Sequence, residues 1–202
     1  SDLSILKAFG SDPALSDQIQ SASQKLKETL LNSVQELHPE HVFKVPDGKS
    51  EACGAFLSQF LASGGQIFTT NYDLLLYWVL LRQGVPDHID GFGKEVTNYE
   101  ELKEGAEKEY SALFWGPNRD EQNVHFLHGA LHLFDARTSV IKEQYSFDAY
   151  LLQNISARLQ RGEYPIFVTA GTSEDKLEHI KHNQYLSFCY DKLSTLSGSL
   201  VT

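Results

Sequence analysis

Residues 64–81 read GGQIFTTNYDLLLYWVLL. A short apolar strand, Ile67 to Thr70, passes at once into the polar triplet Asn71-Tyr72-Asp73 and then into an apolar run of helical character. The Gly pair before the strand suits the C-cap of a preceding helix. Short, fully apolar strands set between helices are the pattern of a parallel sheet covered on both faces. In such sheets ligands sit beyond the carboxyl ends of the strands. An amide and a carboxylate at this corner therefore have two readings. Asn and Asp are common N-caps, and they also suit a polar ligand held at a strand end.

The same alternation extends outward in both directions. Asp12-Pro13 is a helix start, and Leu15, Ile19, Ala22, Leu26, Leu30, Val34 and Leu37 recur every three or four residues, which predicts one long helix over 13–38 closed by His38-Pro39. Residues 41–49 are irregular with room for a brief strand. Residues 50–65 predict a helix with an apolar stripe at Ala52, Phe56, Phe60 and Leu61. On the other side, 84–122 is polar and Gly-punctuated and reads as an excursion from the core. NVHFLHGALHLFD (123–135) predicts two strands with a tight turn at His128-Gly129. A further strand end follows, then a helix with apolar positions at Phe147, Leu151, Leu152 and Leu159. PIFVTA (165–170) is another apolar strand ending in Gly171-Thr172-Ser173 and followed by a helix, 183–198 reads as a further helix, and SLVT (199–202) as a last strand. The whole is expected to be one α/β domain over 1–202, a three-layer Rossmann-like parallel sheet with helices on both faces.

Composition narrows the function classes. The chain has 202 residues, long enough for one proper core, with 41% hydrophobic and 22% charged residues. A net charge of −10 argues against a nucleic-acid surface, which needs basic clusters. No apolar run is long enough to span a bilayer and no signal peptide opens the chain. Cys53 and Cys189 are the only cysteines, too few for a disulfide framework or a four-cysteine zinc site. These features read as cytoplasmic, without membrane or nucleic-acid partners. The absence of Met and the strand-like SLVT at the end read as a truncated or incompletely represented chain.

Three strand ends carry polar or small residues: TTNYD (69–73), LHG (127–129) and AGTS (170–173). Each has a plain structural reading, as a cap, a turn and a capped helix start. Their order along the chain, however, resembles the sirtuin fold, in which a polar triplet containing Asn and Asp, a catalytic His followed by Gly, and a Gly-Thr-Ser turn occur in that succession. The nearest likeness is to divergent, sirtuin-like bacterial proteins, a wider group with NAD-consuming enzymes of antiphage defence. The resemblance covers roughly residues 50–202. No Gly-rich phosphate turn precedes residue 50, so that element would lie upstream, and the paired cysteines of the sirtuin zinc module are missing, so no zinc is expected.

What the resemblance implies is NAD as substrate, a small-molecule nucleotide, cut at the nicotinamide–ribose bond through an oxocarbenium-like sugar. Asn71 would hold the ribose or a water, Asp73 the nicotinamide amide, and His128 would be the general base. Thr70 and Gly129 would line the pocket, and Gly171, Thr172 and Ser173 would offer N–H groups and hydroxyls to phosphate or ribose. Without an acyl-lysine cleft, water is the expected acceptor. The alternatives are a non-catalytic NAD or ADP-ribose sensor, and a scaffold that assembles through its N-terminal helix into a homo-oligomer. A metal site from His125, His128 and His132 competes poorly with their reading as core or surface histidines. His179 and His182 read as solvent-facing, and Tyr77 and Trp78 as core.

Overall fold

The computed structural model describes residues 38–93, 112–136, 139–144, 150–168 and 171–201, together with scattered residues of the N-terminal segment between 15 and 36. Those scattered residues are all helical and almost all exposed, in line with the predicted long helix. The middle of the expected excursion, 94–111, and Phe147 fall outside the described residues.

The expected brief strand near 41–49 is instead a single 3-10 turn, Val42–Lys44. Helix α1 follows at Asp47–Leu61, with Pro46 at its N-cap position and Gly64 at φ 74 after its end. Strand β1 is Ile67–Thr69, and α2 is Leu75–Arg82. Strands β2 (Phe92–Gly93), β3 (Ala112–Trp115), β4 (Val124–Phe126), β5 (Gly129–Asp135) and β6 (Val140–Glu143) lead to helix α3 at Leu151–Gln160. Strand β7 (Pro165–Phe167) and helices α4 (Ser173–His182) and α5 (Gln184–Ser194) complete the order. Residues 199–201, expected as a last strand, are irregular.

The class is mixed α/β, but the strands form two sheets. β1 and β4 pair in parallel, Ile67 opposite Val124 and Thr69 opposite Phe126. The other five run β2-β3-β6-β5-β7, every neighbour antiparallel. The expectation of one parallel sheet is thus met only at the strand pair with which the sequence reading began. β2 and β3, drawn from the expected excursion 84–122, take the edge of the antiparallel sheet, and Val85 and Phe92 are buried. The turn at His128-Gly129 is real, but it does not fold β5 back on β4. Gly129 has φ +76, and its α-carbon lies so close to Ile166 that a β-carbon would stand 1.9 Å from the Ile166 carbonyl oxygen. This close approach commits the strand to β7 instead.

Two apolar clusters share the core. One joins α1, α2 and α5 around Val124, Phe126 and the fully buried Tyr185, whose hydroxyl accepts the Phe126 amide at 3.3 Å. The other packs α2 and α3 on the antiparallel sheet through Leu74, Trp78, Ile155 and Leu159. In α1 the buried stripe is Ser50, Gly54, Leu57 and Leu61 rather than Ala52, Phe56 and Phe60. Gly54 sets this register. A β-carbon there would lie 2.8 Å from Gln83, so the helix turns its smallest residue to the end of α2 and leaves Phe56 half exposed.

One ion pair closes the antiparallel side. Arg158 Nε on α3 donates to Glu143 Oε2 of β6 at 2.6 Å, and Arg158 also pairs with Glu163. The Glu143 side chain is only 5% exposed. Removing its cation leaves a buried charge, which costs roughly 3–5 kcal/mol. Arg158→Met should therefore lower the melting temperature by about 10 °C for a chain this size. The double variant Glu143→Leu/Arg158→Met should regain most of that loss in the same thermal scan.

Candidate functional site

The end of β1 is fixed by three backbone contacts. The Leu127 amide donates to the Thr69 carbonyl at 2.8 Å, the Leu131 amide to the Tyr72 carbonyl at 2.8 Å, and the Val168 amide to the His128 carbonyl at 2.9 Å. These bonds gather the β1 corner, the His128-Gly129 turn and the end of β7 at one place. Tyr72 is half exposed, with its ring centroid 6.0 Å from that of Phe167. The His128 ring lies close enough to the Thr70 backbone and to Lys176 on α4 for both to act on its pKa. So two of the three predicted corners touch directly, and a cation from the element after the third reaches the same imidazole.

Each side chain at the corner has a defined state. Thr70 and Asn71 are exposed, and the Asn71 amide donates to Thr69 Oγ1 at 3.1 Å. Asp73 Oδ1 accepts the Leu75 amide at 2.8 Å, so this carboxylate caps α2 and keeps its second oxygen for other use. The pKa of His128 lies below the usual 6.5, first because of desolvation and then because of Lys176, against the opposing Thr70 bond. A neutral imidazole at working pH can accept a proton, as a general base must.

The third corner is more committed than its sequence suggests. Thr172 Oγ1 accepts the Asp175 amide at 3.2 Å, and Asp175 Oδ2 accepts the Thr172 amide at 2.9 Å, a full capping box. Those bonds hold the Asp175 carboxyl below its usual range. A carboxylate therefore already occupies the start of α4, where the sequence reading expected phosphate. Gly171 fits because a β-carbon there would press on the Asp175 side chain at 3.1 Å. Gly171 and Ser173 are exposed.

A cavity of about 800 Å³ opens beside β1. It is lined by Thr69, Asn71 and Asp73, by Phe56 and Phe60 of α1, and by Lys192 and the segment 195–201. His128 and the Gly171–Ser173 turn do not line it.

The remaining histidines are structural in position. His125 and His132 are fully buried, His179 and His182 exposed. His125 stacks on Phe68 with centroids 4.6 Å apart, and His132 stacks on Tyr77 at 4.6 Å. They lie on opposite sides, His125 toward Phe188 and His132 against Phe126. Among the described residues no group of three His, Cys, Asp or Glu side chains is placed to hold a metal. The Nε2 of His125 and both ring nitrogens of His132 are buried without a hydrogen-bond partner. Burial, aided by Lys192, pushes the pKa of His125 from 6.5 down to about 4, and burial with Lys142 pushes that of His132 well below 6.5. The unfolded chain takes up these protons below pH 6.5 and the folded chain does not, so stability falls as pH drops from about 6.5 towards 4. For His125 alone the full effect is about 3 kcal/mol. Thermal scans should show this decline, with a shallower slope in His132→Leu.

A family description, "Domain of unknown function (DUF4917)", matches residues 7–202. No curated protein and no solved structure matches the chain. Among the described residues no helix is long and apolar enough to cross a membrane.

Proposed function

The chain belongs to the DUF4917 family, and we propose that its β1 corner binds NAD and hydrolyses the nicotinamide–ribose bond. The observation that carries this reading is the gathering of Thr69–Tyr72, His128 and Val168 by three backbone hydrogen bonds. These bonds bring backbone of three separate stretches of chain to one place, which supports reading Asn71, Asp73 and His128 as one site. The sirtuin-like order of the three motifs supports the same reading. The part of the fold this reading draws on is the parallel β1–β4 pair, with α2 following β1.

In this reaction water attacks the anomeric carbon as the glycosidic bond to nicotinamide breaks, giving ADP-ribose, free nicotinamide and one proton. Asn71 holds the ribose or the attacking water. The free oxygen of Asp73 takes the nicotinamide amide while its other oxygen caps α2. His128, whose pKa burial and Lys176 hold below 6.5, takes the proton. Gly129 keeps the turn close to β7. With the Asp175 carboxylate already on the Thr172 amide, Lys176 is the group that draws the phosphates, beside the exposed Gly171 and Ser173. The Thr172 hydroxyl is spent on its capping box and serves only to hold that turn.

A non-cleaving sensor is the second reading, and one observation favours it: the large cavity receives Asn71 and Asp73 but not His128. A nucleotide lying there would be held without a base. Calorimetric titration with NAD and with ADP-ribose, beside chromatography of the products, separates the two. Nicotinamide release supports the hydrolase, and tight binding without release supports the sensor. Assembly into a homo-oligomer through the N-terminal helix is compatible with either and is read from light scattering across concentration.

A further inference from the structure

The stretch from His38 to Asp47 runs along α2 and is fastened to both of its ends. At the C-terminal end Arg82 Nη1 donates to the carbonyls of Val42 at 3.2 Å and Val45 at 2.9 Å, and Arg82 pairs with Asp47. At the N-terminal end the Leu74 amide donates to His38 Nε2 at 3.0 Å. A backbone N–H can only donate, so Nε2 is the bare nitrogen and the ring proton sits on Nδ1. Nδ1 lies 2.9 Å from the Pro39 carbonyl, which accepts that proton. One tautomer uses both nitrogens. The ring also stands edge-on against Trp78, centroids 4.8 Å apart at 82°.

Leu74 directly follows Asp73, is fully buried, and its amide is one of the first of α2, which has no partner within the helix. The neighbouring Leu75 amide is taken by Asp73. The corner 70–73 is therefore a short span between two anchors. Upstream the Thr69 carbonyl is tied to Leu127, and within the span the Tyr72 carbonyl is tied to Leu131. Downstream, the tie is His38.

We propose that His38 is a positioning residue for the candidate site: by holding the Leu74 amide it fixes the direction in which Asn71 and Asp73 leave β1. This rests on the reading of those two residues as ligand-holding groups. A misplacement of about 1 Å in such groups costs on the order of 100-fold in rate.

Three variants test it. His38→Ala removes the acceptor, His38→Gln restores one through its amide oxygen, and Arg82→Ala frees only the far end of the strap. Each is measured for thermal midpoint, ADP-ribose affinity, nicotinamide release and hydrogen exchange at the Leu74 amide. His38→Ala should lose about tenfold or more in affinity and release, with faster Leu74 exchange. His38→Gln should recover most of both. Arg82→Ala should melt earlier yet bind and turn over as the parent does. The proposal is overturned if His38→Ala binds and reacts like the parent, or if His38→Ala and Arg82→Ala lose function in step with their melting temperatures. A parent that binds neither nucleotide overturns the NAD reading and the site role together. That result is told apart from a failed anchor by Leu74 exchange, which still quickens in His38→Ala when the anchor is real.

Discussion

Asn71→Ala and His128→Ala should each lower nicotinamide release from NAD at least about 100-fold, the lower range for losing a positioned proton-transfer group at His128 and the cost of misplacing the ribose or water at Asn71. Neither should disturb the fold. Asn71 is exposed, and its local structure depends on its backbone amide and Thr69 Oγ1 rather than on its own amide group. His128 fixes β7 through its backbone carbonyl, which any residue supplies. The melting temperatures should therefore stay within a few degrees of the parent. The two losses should not add, since the groups act on one step. His128→Gln separates their roles: it keeps a polar group at the turn but cannot take a proton, so ADP-ribose binding survives while turnover does not. Release at the parent rate in both alanine variants would remove the hydrolase reading.

Gly129→Ala is expected to give the largest loss of stability. Its φ of +76 costs a residue with a β-carbon about 1 kcal/mol or more. The greater penalty is steric. A β-carbon would sit 1.9 Å from the Ile166 carbonyl oxygen and 2.6 Å from its carbon, both backbone atoms that cannot swing aside. Relief requires β5 and β7 to part where the His128 carbonyl receives the Val168 amide. We expect a loss of at least about 4 kcal/mol, in the range of severe single substitutions, or an insoluble product. Gly84→Ala is the matched control. It also has positive φ, at +53, but a β-carbon there meets nothing within 4 Å. A small loss at Gly84 with a large one at Gly129 isolates the clash from the backbone strain. Equal losses would mean that the β5–β7 contact is looser than its geometry shows.

The helices and the β1–α2 corner were legible in the sequence because they rest on local signals: apolar spacing, Gly after α1, a polar triplet between strand and helix. Strand partners were not. β1, β4 and β7 have three residues each, and so short an apolar run carries no mark of its neighbour or its direction. The turn at Gly129 looked like a hairpin because its close approach to Ile166 is invisible along the chain. The α1 stripe was misjudged because aromatic size drew attention to Phe56, whereas the contact with α2 needed Gly54. At the proposed site, residue type and order are what single out Asn71, Asp73 and His128. Asp175 could have been foreseen as the capping partner of Thr172, being three residues on. His38 could not, since its partner Leu74 lies 36 positions away and His38-Pro39 reads locally as a helix end.

The central claim is that three strand ends make one nucleotide site, and amide hydrogen exchange with and without saturating ADP-ribose tests it most directly. The account expects slowed exchange in three separate stretches together, at 70–74, 127–129 and 171–174, with the rim of the cavity at 195–201 unchanged. Protection confined to residues 53–60 and 195–201, or absent throughout the chain, would contradict it.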